Sequence, residues 1–363
     1  MATKLKYGIV GCGGIANGKH LLAISKLKEV ELAAFCDIIP DRAEKANREY
    51  AGGKGNVFKN YKDLLKEDLD AVIVCTPNIS HSEISVAALL SGKNVLCEKP
   101  MAINYKEAKE MIAARDKSGK ILTIGYQNRF RQDSLFLKTE CGAGTLGEIY
   151  FAKATAIRRR AVPTWGVFLD EEKQGGGPLI DIGTHALDLT LFMMNNYEPL
   201  YAVGTVYHKL NKDKNTGNAW GDWDTKKFTV EDSAFGFVVM KNGATIMLQS
   251  SWALNITEVR EAVTTLCGTK GGADMPAAGE LELNGVKNGK QFTMKPDLGA
   301  GGVAFYGGET PKDTDLEAEC FLKAIQGKGK LYVQAEEAAV VTKILEGIYK
   351  SASSGKPYYF DEK

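Results

Sequence analysis

Between Lys4 and Asp37 an apolar run, Tyr7-Gly8-Ile9-Val10, leads straight into Gly11-Cys12-Gly13-Gly14-Ile15-Ala16, and a second apolar run, Val30 to Cys36, ends on the acid Asp37. Strand, glycine turn, helix, strand and terminal acid in that order predict a dinucleotide-binding βαβ unit. Gly11 allows the tight turn off the first strand, Gly13 lets backbone approach a pyrophosphate, and Ala16 is small enough for the helix to lie against the sheet. The anion is expected on the amides and positive dipole end of the helix that begins near Gly14 and Ile15. Asp37, roughly 20 residues beyond the turn, is expected to accept hydrogen bonds from both adenosine ribose hydroxyls. A 2′-phosphate needs a cation beside that acid, and Ile38, Ile39 and Pro40 follow instead. NAD is therefore expected over NADP. Arg42, the nearest cation, reads as a solvated first-turn residue of a helix spanning 41–50.

A chain of 363 residues suits two domains. Its 46 basic and 45 acidic residues are interleaved, and the longest basic run is Arg158-Arg159-Arg160, which speaks against nucleic acid or an anionic membrane as partner. The first strand begins within a few residues of Met1, leaving no room for a signal peptide, and no apolar stretch reaches spanning length. A soluble, cytoplasmic protein is expected. The seven cysteines are scattered and lack a CxxC pair, which predicts free buried thiols and neither a disulfide framework nor a metal site.

The predicted fold class is α/β. Apolar strand-like runs at 7–10, 31–36, 71–75, 94–97 and 121–124 alternate with helical patterns at 15–27, 41–50, 80–91 and 105–117, which predicts a doubly wound parallel Rossmann sheet over residues 1–125. After Gly125 the rhythm changes. Long β-rich runs at 148–157, 200–207, 233–240, 244–254 and 259–267, with a Lys241-Asn242-Gly243 hairpin turn, predict an α+β domain over 126–363 built on a large, mostly antiparallel open sheet. Segments 211–224 and 277–308, rich in Gly, Asn and Lys, read as long surface loops or arms. Helical patterns at 316–325 and 335–352 close the chain, the later one expected to pack back on the first domain. Ala234, Phe235, Phe237, Val238 and Val239 make the strand 233–240 too apolar for a wet face, so a homodimer or homotetramer joined through this sheet is expected.

Chemistry is expected where strands end. The fourth strand runs into Thr76-Pro77-Asn78 and the fifth into Glu98-Lys99-Pro100, both at the carboxyl edge where doubly wound sheets bind ligands. Pro100 fixes the turn that aims Lys99, with a cis bond one way of doing so. Further on, Gly175-Gly176-Gly177-Pro178 precedes a helix on which Asp181, His185 and Asp188 recur at i, i+4 and i+7, on one face. Two acids and a histidine on one stripe, after three glycines that grant close approach, point to a reacting group. The other histidines, 20, 81 and 208, show no metal-ligand spacing.

The GxGxxA turn, Asp37, Cys75-Thr76-Pro77-Asn78 followed by His81, the Glu98-Lys99-Pro100 turn and the Gly-Gly-Gly-x-x-x-Asp-x-x-x-His helix together resemble the glucose–fructose oxidoreductase, inositol dehydrogenase and rhizopine-catabolism (Gfo/Idh/MocA) family across residues 4–357. Segment 159–168, with Pro163-Thr164-Trp165-Gly166, is most similar to levoglucosan, scyllo-inositol and glucoside dehydrogenase-like members. The resemblance implies NAD-dependent hydride transfer between the nicotinamide and a secondary alcohol of a sugar, anhydrosugar or inositol, with Lys99, Asp181 and His185 catalytic. It also implies that Glu98 and Pro100 shape the nicotinamide edge and that Asn78 and His81 border the cofactor.

The chemistry of the residues agrees. Imidazole, with an ordinary pKa of about 6.5, suits His185 as the base. Asp181 holds a substrate hydroxyl or supports the charged ring, and Lys99 stabilises the developing alkoxide or relays the proton. For Asp188 a supporting role is favoured over a direct one. Tyr126, Asn128, Arg129, Arg158 and Trp165 offer the aromatic face and forked donors that suit a hydroxylated ring. Two other readings stay open: glycoside cleavage through transient oxidation and elimination, and a sugar or dinucleotide sensor without chemistry.

Overall fold

The computed structural model describes residues 4–214, 216–299 and 312–361, so part of the arm at 211–224 and of the loop at 277–308 lies outside the described residues. The chain divides into two units, Met1–Gln127 with Pro311–Ala339, and Asn128–Thr310 with Val340–Lys363.

The first unit is built on six parallel strands: β1 (Leu5–Val10), β2 (Val30–Cys36), β3 (Asn56–Phe58), β4 (Ala71–Val74), β5 (Asn94–Cys97) and β6 (Leu122–Ile124), in the order β3-β2-β1-β4-β5-β6. The strand order reverses between β1 and β4, which makes their carboxyl ends the natural ligand site of a doubly wound sheet. Ile9, Val72, Ile73, Val95 and Leu96 are almost wholly enclosed, because helices cover both faces. Local chemistry sets the helix ends. Pro40 begins the helix Pro40–Ala51, and Asn104 accepts the Glu107 N–H at 2.9 Å to begin Tyr105–Ser118. The edge strand β3 went unforeseen, since three residues carry no readable alternation. The helix Asp313–Ile325 returns to this unit and sets Phe321 edge-on against Tyr7, ring centroids 6.0 Å apart. The final helix, Ala335–Ser354, belongs to the first unit only through its opening residues.

The second unit carries a mixed nine-stranded sheet: β7 (Ile149–Ile157), β8 (Pro199–Tyr207), β9 (Ser233–Met240), β10 (Thr245–Ser251), β11 (Arg260–Gly268), β12 (Gly271–Asp274), β13 (Glu282–Lys287), β14 (Lys290–Met294) and β15 (Tyr358–Tyr359). Its order is β14-β13-β12-β11-β7-β10-β9-β8-β15, antiparallel throughout except for β7 beside β10. One face is covered by the helix Thr184–Met194, which lies across β7 and β11. The last helix also reaches this sheet. Its Ile348 rests on Gly204 and Gly236, which pair directly across β8 and β9, so a Cβ on either would run into it. On the other face Phe237 stands between Val203 and Met247 in one cross-strand row, all three roughly two-fifths exposed. The region read as a long loop from 277 contains the β13–β14 hairpin, turned by Asn288-Gly289 with φ of 52° and 72°. An Asn-Gly pair is a strong hairpin signal, and here the surrounding polar residues hid it.

Among the described residues no helix is long and apolar enough to cross a membrane.

Candidate active site

In the first unit the glycine turn is shaped by its neighbours and by what it leaves open. Gly11 has a φ of +90°, and a Cβ there would lie 2.7 Å from the Cys75 carbonyl, so β1 and β4 pass too closely for any side chain. Gly13 and Gly14 are the reverse: nothing in the protein lies within 4 Å of a Cβ built on either. Backbone left open at the start of a helix fits a pyrophosphate, and so does Thr76, whose buried hydroxyl has no hydrogen-bond partner at the end of β4. The residues present therefore fit a dinucleotide. Asp37 also does more than its sequence position suggested. Its carboxylate accepts the Cys12 N–H at 2.9 Å and the Ile39 N–H at 2.8 Å, and so ties the glycine turn to the tip of β2. The helix after the turn is α-helical at Gly14 and Ile15 and then π-helical over Ala16–His20, where a regular α-helix was expected.

That wide turn directs Lys19 and His20 into a buried polar cluster that sequence reading missed. Lys19 Nζ lies 2.8 Å from Glu98 Oε1 and 2.9 Å from Glu317 Oε2, while His20 Nε2 lies 2.7 Å from the same Glu98 oxygen. Burial alone would push the Glu98 carboxyl up, but Lys19 and His20 outweigh it and hold the group well below the usual carboxylate range. Burial also opposes the charge on Lys19, yet Glu317 and Glu98 raise it above an ordinary lysine. At Glu317 burial prevails over Lys19 and pushes the carboxyl up, as expected when two acids share one cation. The purpose of the cluster shows in its last contact. The free oxygen of Glu98 accepts the Lys99 backbone N–H at 3.0 Å, so the turn that carries Lys99 hangs from this network.

The other side of the same turn is held by His81, which is enclosed. Its Nδ1 lies 2.7 Å from the Pro100 carbonyl and its Nε2 2.9 Å from that of Thr76, bracing the two ligand-edge turns against each other. Burial lowers its pKa despite both contacts. The Lys99–Pro100 bond is cis. Lys99 and Asn78 are half-buried and Pro77 is exposed at this edge. Tyr126, expected to meet substrate, is fully enclosed.

In the second unit the three glycines have local causes. Gly175 ends the short helix Glu171–Gln174 with a φ of +77°. A Cβ on Gly176 would overlap the Tyr349 hydroxyl, and one on Gly177 the carbonyl oxygen of Glu231. The close approach anticipated for a ligand is made by the protein itself. The Glu231 carboxylate caps the following helix, accepting the N–H groups of Gly177 at 2.8 Å and Leu179 at 3.1 Å and the Tyr349 hydroxyl at 2.8 Å. Burial pushes its pKa up against those donors.

The helix so capped is not regular. Leu179–Gly183 is π-helical and Thr184–Met194 α-helical, so the stripe of Asp181, His185 and Asp188 is broken at its first turn. Asp181 and His185 are half-buried, and Asp181 Oδ2 accepts the Trp252 indole N–H at 3.0 Å. Asp188 is enclosed. It pairs with Arg129, its Oδ1 2.6 Å from Nη2 and its Oδ2 3.0 Å from Nε, and the guanidinium lies 4.6 Å from the Phe192 ring centre. Arg129, expected to meet substrate, is wholly buried and braces this helix instead. Arg158 is likewise engaged, with Nε 2.7 Å from Glu261 Oε2 and Nη2 2.5 Å from Oε1. Asn128 is half-buried, and Trp165 is 51% exposed. Trp252, Trp220, Glu231 and Glu261 escaped sequence reading, although two tryptophans inside a Gly- and Asn-rich arm, Trp220 and Trp223, were a usable signal.

Residues 5–126 match the family model described as an oxidoreductase family with an NAD-binding Rossmann fold, and residues 136–274 match the GFO/IDH/MocA C-terminal domain. The D-glucoside 3-dehydrogenase of Escherichia coli (strain K12) is 33% identical over 357 residues, covering 98% of this chain and 97% of that one. The glucose-6-phosphate 3-dehydrogenase of Bacillus subtilis (strain 168) is 31% identical over 242 residues, 65% of each chain. The fold recurs in levoglucosan dehydrogenase solved with NADH and levoglucosan, with a TM-score of 0.84 at 19% identity over 99% of this chain and 100% of that one. It recurs also in an oxidoreductase domain protein from Kribbella flavida, with a TM-score of 0.85 at 21% identity and the same coverage.

Proposed function

This chain belongs to the GFO/IDH/MocA family of NAD-binding oxidoreductases, and from that premise we propose that it oxidises a secondary alcohol of a sugar, anhydrosugar or inositol. Residues 1–125 act as the nucleotide domain and 126–363, apart from the returning segment 311–339, as the substrate and oligomerisation domain. When bound, NAD supplies the hydride acceptor. His185 takes the hydroxyl proton. Asp181, oriented by the Trp252 indole, holds a neighbouring hydroxyl or steadies the imidazolium. Lys99, on a turn hung from Glu98, stabilises charge as it develops on the oxygen. Asp37, Gly13, Gly14, Ile15 and Thr76 hold the nucleotide, while Arg129 and His81 position other residues. The observation that most supports this reading is that Asp181 and His185 are half-buried side by side at the start of a helix whose cap, Glu231, and flank, Asp188, are enclosed.

Purified protein is to be offered NAD and a panel of sugars, glycosides, anhydrosugars and inositols while reduced nicotinamide absorbance is followed. At least one should be oxidised. His185→Ala and Lys99→Ala should each lower turnover on it by about a hundredfold, with NAD affinity changed severalfold at most. A His185→Ala enzyme that keeps more than roughly a tenth of wild-type turnover sinks the assignment of the base. Substrate consumed without net reduced nicotinamide would point to elimination chemistry.

The apolar row of Val203, Phe237 and Met247 supports a homo-oligomer, dimer or tetramer, joined sheet to sheet. Light scattering that reports a monomer at micromolar concentration refutes it. The cysteines, free thiols throughout, suit the reducing cytoplasm.

A further inference from the structure

Two of the four tryptophans, Trp223 and Trp252, are buried in the second unit, whereas Trp165 and Trp220 stand 51% and 44% exposed beside each other. Their ring centres are 4.9 Å apart and their planes 79° from parallel. This exposure is not the looseness of a surface arm. Segment 160–164 and segment 218–220 are clasped by four hydrogen bonds: Val162 N–H to Asn218 Oδ1 at 2.8 Å, Asn218 Nδ2 to the Val162 carbonyl at 3.0 Å, Ala219 N–H to the Arg160 carbonyl at 2.9 Å, and Thr164 Oγ1 to the Trp220 carbonyl at 2.8 Å. Phe168 packs edge-on behind Trp165, and the Arg158 guanidinium, locked by Glu261, lies 5.3 Å from the Trp220 ring centre. The result is a rigid apolar corner kept in water, preorganised to receive a ring.

Its position says which ring. Trp252 is the shared wall: its indole N–H holds Asp181, and its backbone carbonyl accepts the Ala161 N–H at 2.9 Å, anchoring the loop that carries Trp165. Arg158 links the two regions as well, since it contacts the Trp220 ring while Asp181 adds to the charges that raise its pKa. We infer that Trp165 and Trp220 form an outer subsite for a second ring carried on the oxidised sugar through a glycosidic oxygen, stacked by its apolar face. A pyranose and an aryl group share that chemistry. This inference rests on the proposed sugar oxidation, with Trp220 acting on specificity and Asp181 and His185 on the reaction.

The test uses the methyl, phenyl and glucosyl glycosides of one sugar with the full-length enzyme and NAD. The phenyl or glucosyl compound should exceed the methyl glycoside in kcat/KM by at least tenfold, and Trp220→Ala should erase at least tenfold of that ratio, with Trp220→Phe retaining most of it. Preference for the phenyl compound alone assigns the subsite to aryl groups, and preference for the disaccharide alone to sugars. An equal effect of Trp220→Ala on all three, or no preference for the larger glycosides, overturns the inference. If none of the three glycosides is oxidised, calorimetric titration with phenyl glycoside decides the subsite apart from the reaction, which the wider panel of sugars, anhydrosugars and inositols tests. Binding that Trp220→Ala weakens at least tenfold upholds the subsite, and absence of binding overturns it.

Discussion

Two glycine-rich turns in this protein look alike as text and have opposite causes. At Gly13 and Gly14 the space a side chain would occupy is empty, and the neighbouring Asp37 and Thr76 groups fit a nucleotide. At Gly176 and Gly177 that space is already filled by the Tyr349 hydroxyl and the Glu231 backbone. In the first turn glycine keeps room for something that binds. In the second it lets the protein's own chain close over the start of the Asp181–His185 helix. The lesson is that a glycine's meaning lies in what its missing Cβ would meet.

Substitutions separate the two cases, and the largest effect belongs to the crowded turn. Gly177→Ala drives a methyl into a backbone carbonyl that has no rotamer to yield, so a loss of about 3 kcal/mol is expected in denaturant unfolding. A loss below about 1 kcal/mol breaks the comparison. Gly13→Ala should leave the unfolding free energy of the cofactor-free protein within about 0.5 kcal/mol of wild type. Its NAD affinity should fall by about a hundredfold, near 2.7 kcal/mol. Intact NAD binding in calorimetry would show that the open space is not where the pyrophosphate lies.

Cofactor choice sharpens the reading of the open turn. NAD should bind at least about tenfold more tightly than NADP, about 1.4 kcal/mol, because Asp37 is followed by the exposed Ile38 and Ile39 and not by a cation. Equal binding would implicate Arg42. Asp37→Ala should weaken NAD while saturated turnover largely survives, since the side chain holds the Cys12 amide before and during the reaction.

The smallest effect concerns Glu317. Its carboxyl is pushed up by burial, so folding favours the protonated form. That contribution is fully present below the unfolded pKa of about 4.3 and is lost as pH rises through the raised folded value. Glu317→Gln, which cannot ionise, should therefore gain on wild type as pH rises from 4 to 8, within about 1 kcal/mol, the scale of one hydrogen bond. A midpoint difference that shifts the other way would show that Lys19 needs both carboxylates charged.

The parallel sheet, the nucleotide turn and the acid at the tip of β2 were legible because each is encoded by neighbours in sequence: two-sided apolar runs, glycine at a turn, and a βαβ unit whose parts lie within roughly 30 residues. The change of rhythm after Gly125 foretold the second, mostly antiparallel sheet for the same reason. Lys99, Asp181 and His185 were singled out by their sequence positions and by the family resemblance, whereas Lys19, Glu231 and Trp252, which hold their surroundings, were not. Tertiary structure alone decided that Lys19 meets Glu98 across 79 residues, that Arg129 turns inward to Asp188 across 59, and that Tyr349 crowds Gly176. Periodicity records which face of an element is buried, whereas the partner of a buried charge and the filling of a glycine's empty side depend on how distant elements pack.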